Sequence, residues 1–269
     1  LSNTLCYAAS LVPDVNESLV AIDDAMKLGY NWIQGPFEMI DTIGVNDFIA
    51  RLEQDKREIP AILKTAKDKS FYRVNGNKLE YLAASGDYIN LNREQGIRRF
   101  TEERRVRQPI LSNDVASYYE VDNDIGMVEF HSKANALGSE SMHLLGDAIA
   151  HAEENFTGLI IHNDAAHFSC GVNLECIAEF IENQDWAGLD GFLGHFQKTM
   201  QTMKYSNLPV VSAPVGLSIG GGFEVVLHTD MTIYHANSVT GLVESLVGVV
   251  PGGGGVKELL YRWRDINKN

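Results

Sequence analysis

Glycine residues follow short apolar runs in the second half of the chain, and this placement most constrains what the sequence can fold into. The apolar run 209–214 is followed by the glycines 220–222 and then by a helical pattern, and the glycines 252–255 precede the last helical pattern. Glycine at a strand-to-helix turn lets a backbone or a ligand approach closely. Repeated strand–helix units with such turns are typical of α/β folds, in which ligands bind at the turns. The sequence therefore predicts an α/β fold with its functional site at these turns.

The rest of the chain beyond residue 113 alternates between the periods of a strand and a helix. Short apolar or alternating runs predict strands, and apolar residues three and four positions apart predict helices. We expect strands at 117–121, 127–131, 158–162, 209–214 and 231–235, and helices at 139–154, 172–182 and 191–203. A hairpin turn is predicted between the first two strands, at Asp122, Asn123 and Asp124.

The first third of the chain has a mostly helical pattern instead. Its apolar spacing predicts helices at 17–28, 36–52 and 59–67. Pro36 is a favoured first-turn residue for the second of these helices, and Gly29 stands where the first is expected to end. We therefore predict a helical domain at residues 1–70.

The pattern changes again near residue 71. Residues 71–81 predict a β-hairpin around the turn Asn75-Gly76-Asn77. Residues 83–113 are polar and poorly periodic, so the domain boundary is expected there. The predicted organisation is thus a hairpin and linker at 71–113 and an α/β domain at 114–269.

Charge and cysteine content exclude several classes of protein. The formal net charge of −14 repels nucleic acid. No apolar run approaches the roughly 20 residues that span a bilayer, and residues 1–10 lack the basic flank of a secretory signal, so we predict a cytoplasmic protein without membrane insertion. Cys6, Cys170 and Cys176 form no C-x-x-C pair, so no disulfide framework and no metal site is expected.

Because the chain opens on Leu1, we expect a piece of a longer protein.

Two carboxylates stand near the predicted turns. Glycines at the start of a helix leave backbone N–H groups free to hold a developing oxyanion, although a tight, closely packed turn is the alternative for 220–222. Glu224 lies in the first turn of that apolar helix, where it either faces solvent or acts as an acid or base. Glu244 lies in an otherwise apolar stretch, where burial would raise its pKa; an exposed loop glutamate is the alternative. Two carboxylates in different environments can hold one acid and one base.

Three segments resemble a known family. Ser-Ile-Gly-Gly-Gly-Phe-Glu at 218–224, Glu244 placed 20 residues after Glu224, and Gly-Val-Val-Pro-Gly-Gly-Gly-Gly at 248–255 resemble the double-glutamate signature of enoyl-CoA hydratases, the crotonase family. Phe-Ser-Cys-Gly-Val-Asn-Leu at 168–174 and Phe-His-Ser-Lys-Ala-Asn-Ala-Leu at 130–137 resemble two further family segments. The resemblance implies a crotonase-like (ββα) core and hydration of 2-enoyl-CoA to 3-hydroxyacyl-CoA in fatty acid β-oxidation.

The resemblance also implies a role for each matched position. Backbone N–H groups of Cys170 and Gly221 would form an oxyanion hole for the thioester carbonyl. Glu224 and Glu244 would deprotonate the water and protonate the α-carbon, with the Gly252 N–H helping to hold that water. Cys170 replaces the usual alanine and is expected to pack rather than to act as a nucleophile. The other implied substrate- or water-binding residues are Lys133, Ala134, Phe168, Gly171, Asn173, Gly222 and Pro251.

Two of these residues, Lys133 and Asn173, have a second interpretation or depart from the family pattern. Lys133 is the candidate contact for the anionic coenzyme A, and a solvated lysine is the alternative. Asn173 stands where the family has aspartate, which is expected to change only an interaction at a helix start.

The first third of the chain has its own resemblance. Asp-Asp-Ala-Met-Lys-Leu-Gly at 23–29 and Gln-Gly-Pro-Phe-Glu-Met-Ile-Asp-Thr-Ile-Gly at 34–44 resemble the helical carboxy-terminal domain of 3-hydroxyacyl-CoA dehydrogenases. No G-x-G-x-x-G follows a strand, so NAD is expected to bind only in a dehydrogenase domain that this chain lacks. The order of the two parts resembles multifunctional fatty acid oxidation enzymes. A homo-oligomer and a thiolase partner of the longer protein are therefore expected.

The sequence leaves two other interpretations open. The chain could bind acyl-CoA thioesters without turning them over and serve as an assembly module. It could also keep the fold and catalyse isomerisation or thioester hydrolysis. The presence of both Glu224 and Glu244 favours hydration, because the isomerases of this fold generally use one carboxylate.

Overall fold

Residues 1–122 and 124–266 are described by the computed structural model, and they divide into two units between Arg107 and Gln108. Asn123, predicted to lie in a hairpin turn, and residues 267–269 of the predicted α/β domain lie outside the described residues. The division falls within the segment 71–113 that was predicted as a hairpin and linker.

The first unit combines helices with a small antiparallel sheet. The sheet has the order β1-β2-β3, and Phe71, Tyr72 and Leu82 bury their side chains in the same apolar cluster as the helices. The predicted hairpin therefore packs into the core of the helical unit. The helices are α1 (Ser2–Ser10), α2 (Leu19–Tyr30), α3 (Pro36–Ile43), α4 (Val45–Gln54), α5 (Ala61–Thr65) and α6 (Phe100–Glu103), and the strands are β1 (Tyr72–Asn75), β2 (Lys78–Leu82) and β3 (Tyr88–Asn90).

Three details of this unit differ from the predictions. Helix α2 continues through Gly29 to Tyr30, and Asn31 ends it with a left-handed φ of 55°. The predicted helix 36–52 is two helices, because Gly44 takes a φ of 98° that an L side chain adopts only with strain. The polar segment 83–113 also contributes the third strand, β3.

A buried carboxylate joins α2, α3 and β1. Asp23 has no exposed surface and accepts hydrogen bonds from the Phe37 N–H (2.8 Å), the Glu38 N–H (3.2 Å) and the Tyr72 hydroxyl (2.8 Å). Burial raises the pKa of Asp23 to about 7 even though the hydrogen bonds from Phe37 and Tyr72 oppose the shift.

The second unit is built on a mixed six-stranded sheet. Its order is β10-β8-β7-β6-β5-β4, with β4, β5 and β6 antiparallel and β6, β7, β8 and β10 parallel. Strands β9 and β11 form a separate parallel pair. The strands are β4 (Leu111–Ser112), β5 (Ala116–Asp122), β6 (Ile125–Phe130), β7 (Gly158–His162), β8 (Val210–Ala213), β9 (Leu217–Ile219), β10 (Met231–Thr232) and β11 (Val239–Gly241).

Helices flank this sheet, and one apolar cluster fills the space between them. Buried side chains of α7, α9 and α10 pack together with those of β5 to β8 in this cluster, as the alternating pattern predicted. The helices are α7 (Ser139–Asn155), α8 (Leu174–Glu182), α9 (Trp186–Lys204), α10 (Gly221–Leu227) and α11 (Gly255–Ile266), with short 3-10 helices at Lys133–Asn135 and Glu244–Val247.

Candidate active site

The segment around Ser169 lies directly against the turn between β9 and α10. The Ser169 N–H donates to the Leu217 carbonyl (3.0 Å), and the Ile219 N–H donates to the Ser169 carbonyl (3.1 Å). A Cβ added to Gly222 would lie 2.6 Å from the Cβ of Ser169, closer than packed atoms approach. The glycine requirement predicted for this turn therefore comes from contact between two chain segments.

The third matched segment lies on the other side of residues 170–173. The Leu137 N–H donates to the Gly171 carbonyl (2.8 Å), and the Asn173 N–H donates to the Leu137 carbonyl (2.8 Å). The Asn135 amide donates to the His167 carbonyl (2.8 Å). The structure thus brings segments 133–137, 168–173 and 218–224 together, although they are far apart in the sequence.

The Cys170 amide has a partner within the protein. Its N–H donates to the Ala134 carbonyl at 3.2 Å, a long bond. Ala134 has a left-handed φ of 57°, and both it and Lys133 are exposed. A thioester oxygen at the predicted oxyanion hole would have to replace this carbonyl as the acceptor. Burial raises the pKa of the Cys170 thiol, which disfavours a nucleophilic thiolate.

Glu224 is buried and held by backbone donors. Its side chain belongs to the first turn of α10, and the residue is 2% exposed. The Gly253 N–H lies 2.9 Å from Oε1 and 3.0 Å from Oε2, and the Gly255 N–H lies 2.9 Å from Oε1. These donors favour the ionised carboxylate. Burial nevertheless raises the pKa of Glu224, and the charge of nearby Glu244 acts in the same direction.

Glu244 faces the same region from the start of a 3-10 helix. The residue is half-buried, and its Oε2 atom is buried without a hydrogen-bond partner among the described residues. A Cβ added to Gly220 would lie 3.5 Å from Glu244 Oε1, so this carboxylate stands beside the glycine turn. A buried acceptor without a donor is costly unless a water or a ligand fills the position.

The run of glycines 252–255 shapes the site through Gly253 and Gly255, which carry no predicted role. A Cβ added to Gly253 would lie 2.6 Å from Glu224 Oε2, and one added to Gly255 would lie 2.9 Å from Glu224 Cγ. The Gly252 N–H is predicted to hold the water, which stays a prediction; the donors to Glu224 are Gly253 and Gly255. The sequence feature that indicates these two donors is the length of the glycine run 252–255.

The remaining predicted residues have different positions. Phe168 has no exposed surface and packs in the apolar core, so its side chain supports the turn from behind. The Asn173 side chain accepts from the Glu175 N–H (3.0 Å) and caps α8. Gly222 is buried, while Pro251 and Gly252 are half-buried. The Gly252 carbonyl accepts from the Gln197 amide at 2.6 Å.

The described residues contain neither a candidate metal cluster nor a helix suited to span a membrane. No group of three or more His, Cys, Asp or Glu side chains in residues 1–122 and 124–266 could hold a metal ion. Within the same residues, no helix has the length and apolar character needed to cross a membrane.

Comparison with known proteins identifies relatives of the whole chain. The sequence profile of the enoyl-CoA hydratase/isomerase family matches residues 120–263. A probable 3-hydroxyacyl-CoA dehydrogenase of Bacillus subtilis (strain 168) is 36% identical over 262 residues, which are 96% of this chain and 33% of that protein. A protein of Rickettsia felis, provisionally named a fatty acid oxidation complex trifunctional enzyme, is 31% identical over 95% of this chain and 33% of its own length. The chain thus spans about a third of the length of these relatives.

A solved structure agrees with the fold of the second unit. The enoyl-CoA hydratase of Thermoplasma volcanium GSS1 is 27% identical, with a TM-score of 0.50 over 55% of this chain and 58% of that one. The predicted crotonase-like fold is therefore confirmed.

Proposed function

We propose that this chain, which belongs to the enoyl-CoA hydratase/isomerase family, adds water to 2-enoyl-CoA thioesters in fatty acid oxidation. The observation that carries the proposal is the pair of carboxylates at one glycine turn. Glu224 is clamped by two N–H donors, and Glu244 offers a buried oxygen without a partner among the described residues. A water molecule between the two carboxylates would satisfy that oxygen.

The proposed reaction needs two proton transfers and one charged intermediate. The water oxygen bonds to the β-carbon, the carbon–carbon double bond opens, and the electrons move onto the thioester oxygen. The N–H groups of Cys170 and Gly221 would hold that oxygen, with the Cys170 N–H leaving the Ala134 carbonyl. The two carboxylates would take the proton from the water and return one to the α-carbon. The coenzyme A thioester is the substrate, and the step uses no further cofactor.

The first unit and the longer relatives extend the proposal. The match to a protein named as a dehydrogenase covers both units, which supports residues 1–70 as part of a 3-hydroxyacyl-CoA dehydrogenase domain. We propose that NAD and the dehydrogenase reaction belong to another part of the longer protein. Assembly as a homo-oligomer and with a thiolase is proposed from the resemblance to multifunctional fatty acid oxidation enzymes alone.

The test is loss of the conjugated thioester absorbance of crotonyl-CoA on addition of the 269-residue protein. Glu224→Gln and Glu244→Gln should each lower kcat by about 100-fold or more, because each removes one proton-transfer group. Glu179→Gln, at an exposed position on α8, changes the same charge away from the site and should leave kcat unchanged. Equal activity of the parent and both site variants would refute hydration by this carboxylate pair.

A second candidate function is thioester binding without turnover. The hydrogen bond from the Cys170 N–H to the Ala134 carbonyl favours it, because this donor is already occupied. Crotonyl-CoA would then bind to the parent protein, as measured by calorimetry, while its absorbance stays constant. A shift of the double bond in 3-enoyl-CoA, with no hydration of crotonyl-CoA, would instead indicate an isomerase.

A further inference from the structure

Behind Glu224 lies a cluster of charged side chains around the buried Glu258, which the proposed reaction does not use. Glu258, in the first turn of α11, is 3% exposed. Its Oε2 accepts from the Lys204 ammonium at 2.6 Å, and its Oε1 lies 2.9 Å from the Lys257 ammonium. Although burial opposes it, these two ammonium groups hold the pKa of Glu258 below its usual value. Glu258 is therefore a charged group fixed between α9 and α11.

His228 connects this cluster to α10. Its Nδ1–H donates to the Glu224 carbonyl at 2.7 Å, which fixes the tautomer of the neutral ring. Its Nε2 faces Glu258 Oε1 at 3.6 Å. A Cβ added to Gly254 would lie 3.4 Å from the ring, so His228 also supports the glycine turn from below. Burial lowers the pKa of His228, so the ring is neutral near neutral pH.

A third contact holds α11 one turn beyond Glu258. The Arg262 guanidinium donates to the Leu227 carbonyl at 2.8 Å and to the Thr229 carbonyl at 3.2 Å. These carbonyls lie at the carboxy-terminal end of α10, whose first turn carries Glu224. Helix α11 is thus held at two points, by Glu258 in its first turn and by Arg262 one turn later.

The start of α11 and the turn just before it supply the donors to Glu224, Gly255 and Gly253. Gly255 is the first residue of the helix, so its N–H has no partner within the helix and is free to bind a carboxylate. The positive end of the helix dipole points in the same direction. A displacement of α11 by less than 1 Å would lengthen both the Gly253 and the Gly255 hydrogen bonds beyond normal limits.

We propose that Glu258, held by Lys204, is a positioning residue that keeps the start of α11 where Gly253 and Gly255 donate to Glu224. Glu258 does not contact the reacting atoms. Its effect on catalysis passes through the orientation and acidity of Glu224. The consequence for turnover rests on the proposed function, whereas the consequence for the acidity of Glu224 does not.

The deciding variant is Glu258→Gln, which keeps the shape of the side chain and removes its charge. Two effects act on the pKa of Glu224 in opposite directions. Removing a negative charge beside two ammonium groups would lower it by simple electrostatics. Release of α11 would raise it, because the carboxylate loses its N–H donors. The positioning role therefore predicts a rise, and a purely electrostatic role predicts a fall.

The measurement is a pH titration of the Glu224 carboxyl in the ligand-free protein by infrared spectroscopy with 13C-labelled glutamate. The Glu224→Gln protein supplies the difference spectrum. Asp265→Asn, which removes an exposed carboxylate from the same helix, is the matched control and should leave the titration unchanged. A rise in the pKa of Glu224 in Glu258→Gln supports the proposal; no change or a fall in the folded protein overturns it.

Kinetics test the catalytic consequence separately. In Glu258→Gln, kcat for crotonyl-CoA should fall by about 10- to 100-fold, because a misplaced catalytic group costs that much, while KM stays near the parental value. Lys204→Met should act in the same direction, and Lys204→Arg, which keeps the donor, should restore most of the activity. If Glu258→Gln does not fold, the two Lys204 variants replace it in the kinetics. Glu258→Asp, which keeps the charge and shortens the reach to Lys204, replaces it in the titration, where a rise in the pKa of Glu224 supports the proposal and an unchanged pKa overturns it. An inactive parent with the expected titration shift would refute the proposed reaction and leave the positioning role supported.

Discussion

Replacing Gly253 by alanine, which adds one methyl group, should break the hydrogen bond from its N–H to Glu224. A Cβ at this position would lie 2.6 Å from Glu224 Oε2 and 2.6 Å from Phe196 Cε1. Both neighbours are 2% exposed, so neither can move into solvent. Because protein interiors are close-packed, the neighbours cannot move aside, and an ordinary contact distance is about 3.4 Å. The turn at Gly253 would therefore have to move away from Glu224 and Phe196 by about 0.8 Å.

This movement removes a hydrogen bond that the proposed reaction would need. The Gly253 N–H lies 2.9 Å from Glu224 Oε1, and a shift of about 0.8 Å carries it beyond hydrogen-bond distance. Loss of one preorganised donor costs about 10²- to 10³-fold in kcat where the donor holds an oxyanion, and misplacement by about 1 Å costs about 10²-fold. We therefore expect kcat for crotonyl-CoA to fall by about 10²-fold in Gly253→Ala. Overpacking should also lower the free energy of unfolding by about 1–3 kcal/mol.

The assay compares Gly253→Ala with Gly194→Ala. Gly194 lies in α9, where an added Cβ meets no atom within 4 Å, so this variant should keep the parental kcat and be slightly more stable. Circular dichroism and thermal unfolding would establish that both variants are folded before the crotonyl-CoA assay. A folded Gly253→Ala protein with the parental kcat would refute the need for this N–H in holding Glu224 for the proposed reaction.

Three further predictions concern other parts of the chain. Between about pH 4 and pH 7, the folded state of the first unit holds a proton on Asp23 that the unfolded state has lost, so its stability should decrease as the pH rises, by about 4 kcal/mol at most. In Asp23→Asn, the free energy of unfolding measured in urea should change less with pH across this range. The same pH dependence as in the parent would contradict the buried, proton-binding carboxyl. Cys170→Ala should keep kcat within about threefold, because the proposed contact comes from the backbone and the thiol is not a nucleophile; a loss of about 100-fold in the crotonyl-CoA assay would contradict this. Lys133→Met should raise KM for crotonyl-CoA by about 3- to 10-fold at low salt and leave kcat unchanged, because an exposed ammonium contributes only a modest, screened attraction to the coenzyme A phosphates; an unchanged KM would indicate a solvated lysine.

The kinds of elements in this protein could be predicted from the sequence because they depend on local spacing. Strands at 158–162 and 209–214 and a helix from residue 139 follow from the periodicity of neighbouring side chains, and the structure confirms them. Glycines at a strand-to-helix turn and two carboxylates nearby were sufficient to place a candidate site. A family resemblance added specific roles for those residues, which remain predictions until the variants are measured.

Element boundaries were less predictable because competing local signals have similar energies. Gly29 was expected to end α2, but the helix continues to Tyr30, since one glycine inside a helix costs only about 1 kcal/mol. Gly44 does break the helical pattern at 36–52, because its left-handed φ joins two helices that pack in one core. The strand Tyr88–Asn90 lies in a polar segment and gains its order by pairing with β2.

The contacts that give the site its chemistry were decided only by the tertiary structure. The Gly253 and Gly255 donors are 29 and 31 residues from Glu224, and the Lys204 ammonium is 54 residues from Glu258. The Cys170 N–H likewise donates to the carbonyl of Ala134, a residue that is distant in the sequence. Local sequence determines which backbone conformations and faces a segment prefers, so it can indicate a glycine turn and a carboxylate. The partner of each buried polar group depends on how distant segments pack, because burial removes water and leaves only those segments to supply the hydrogen bonds.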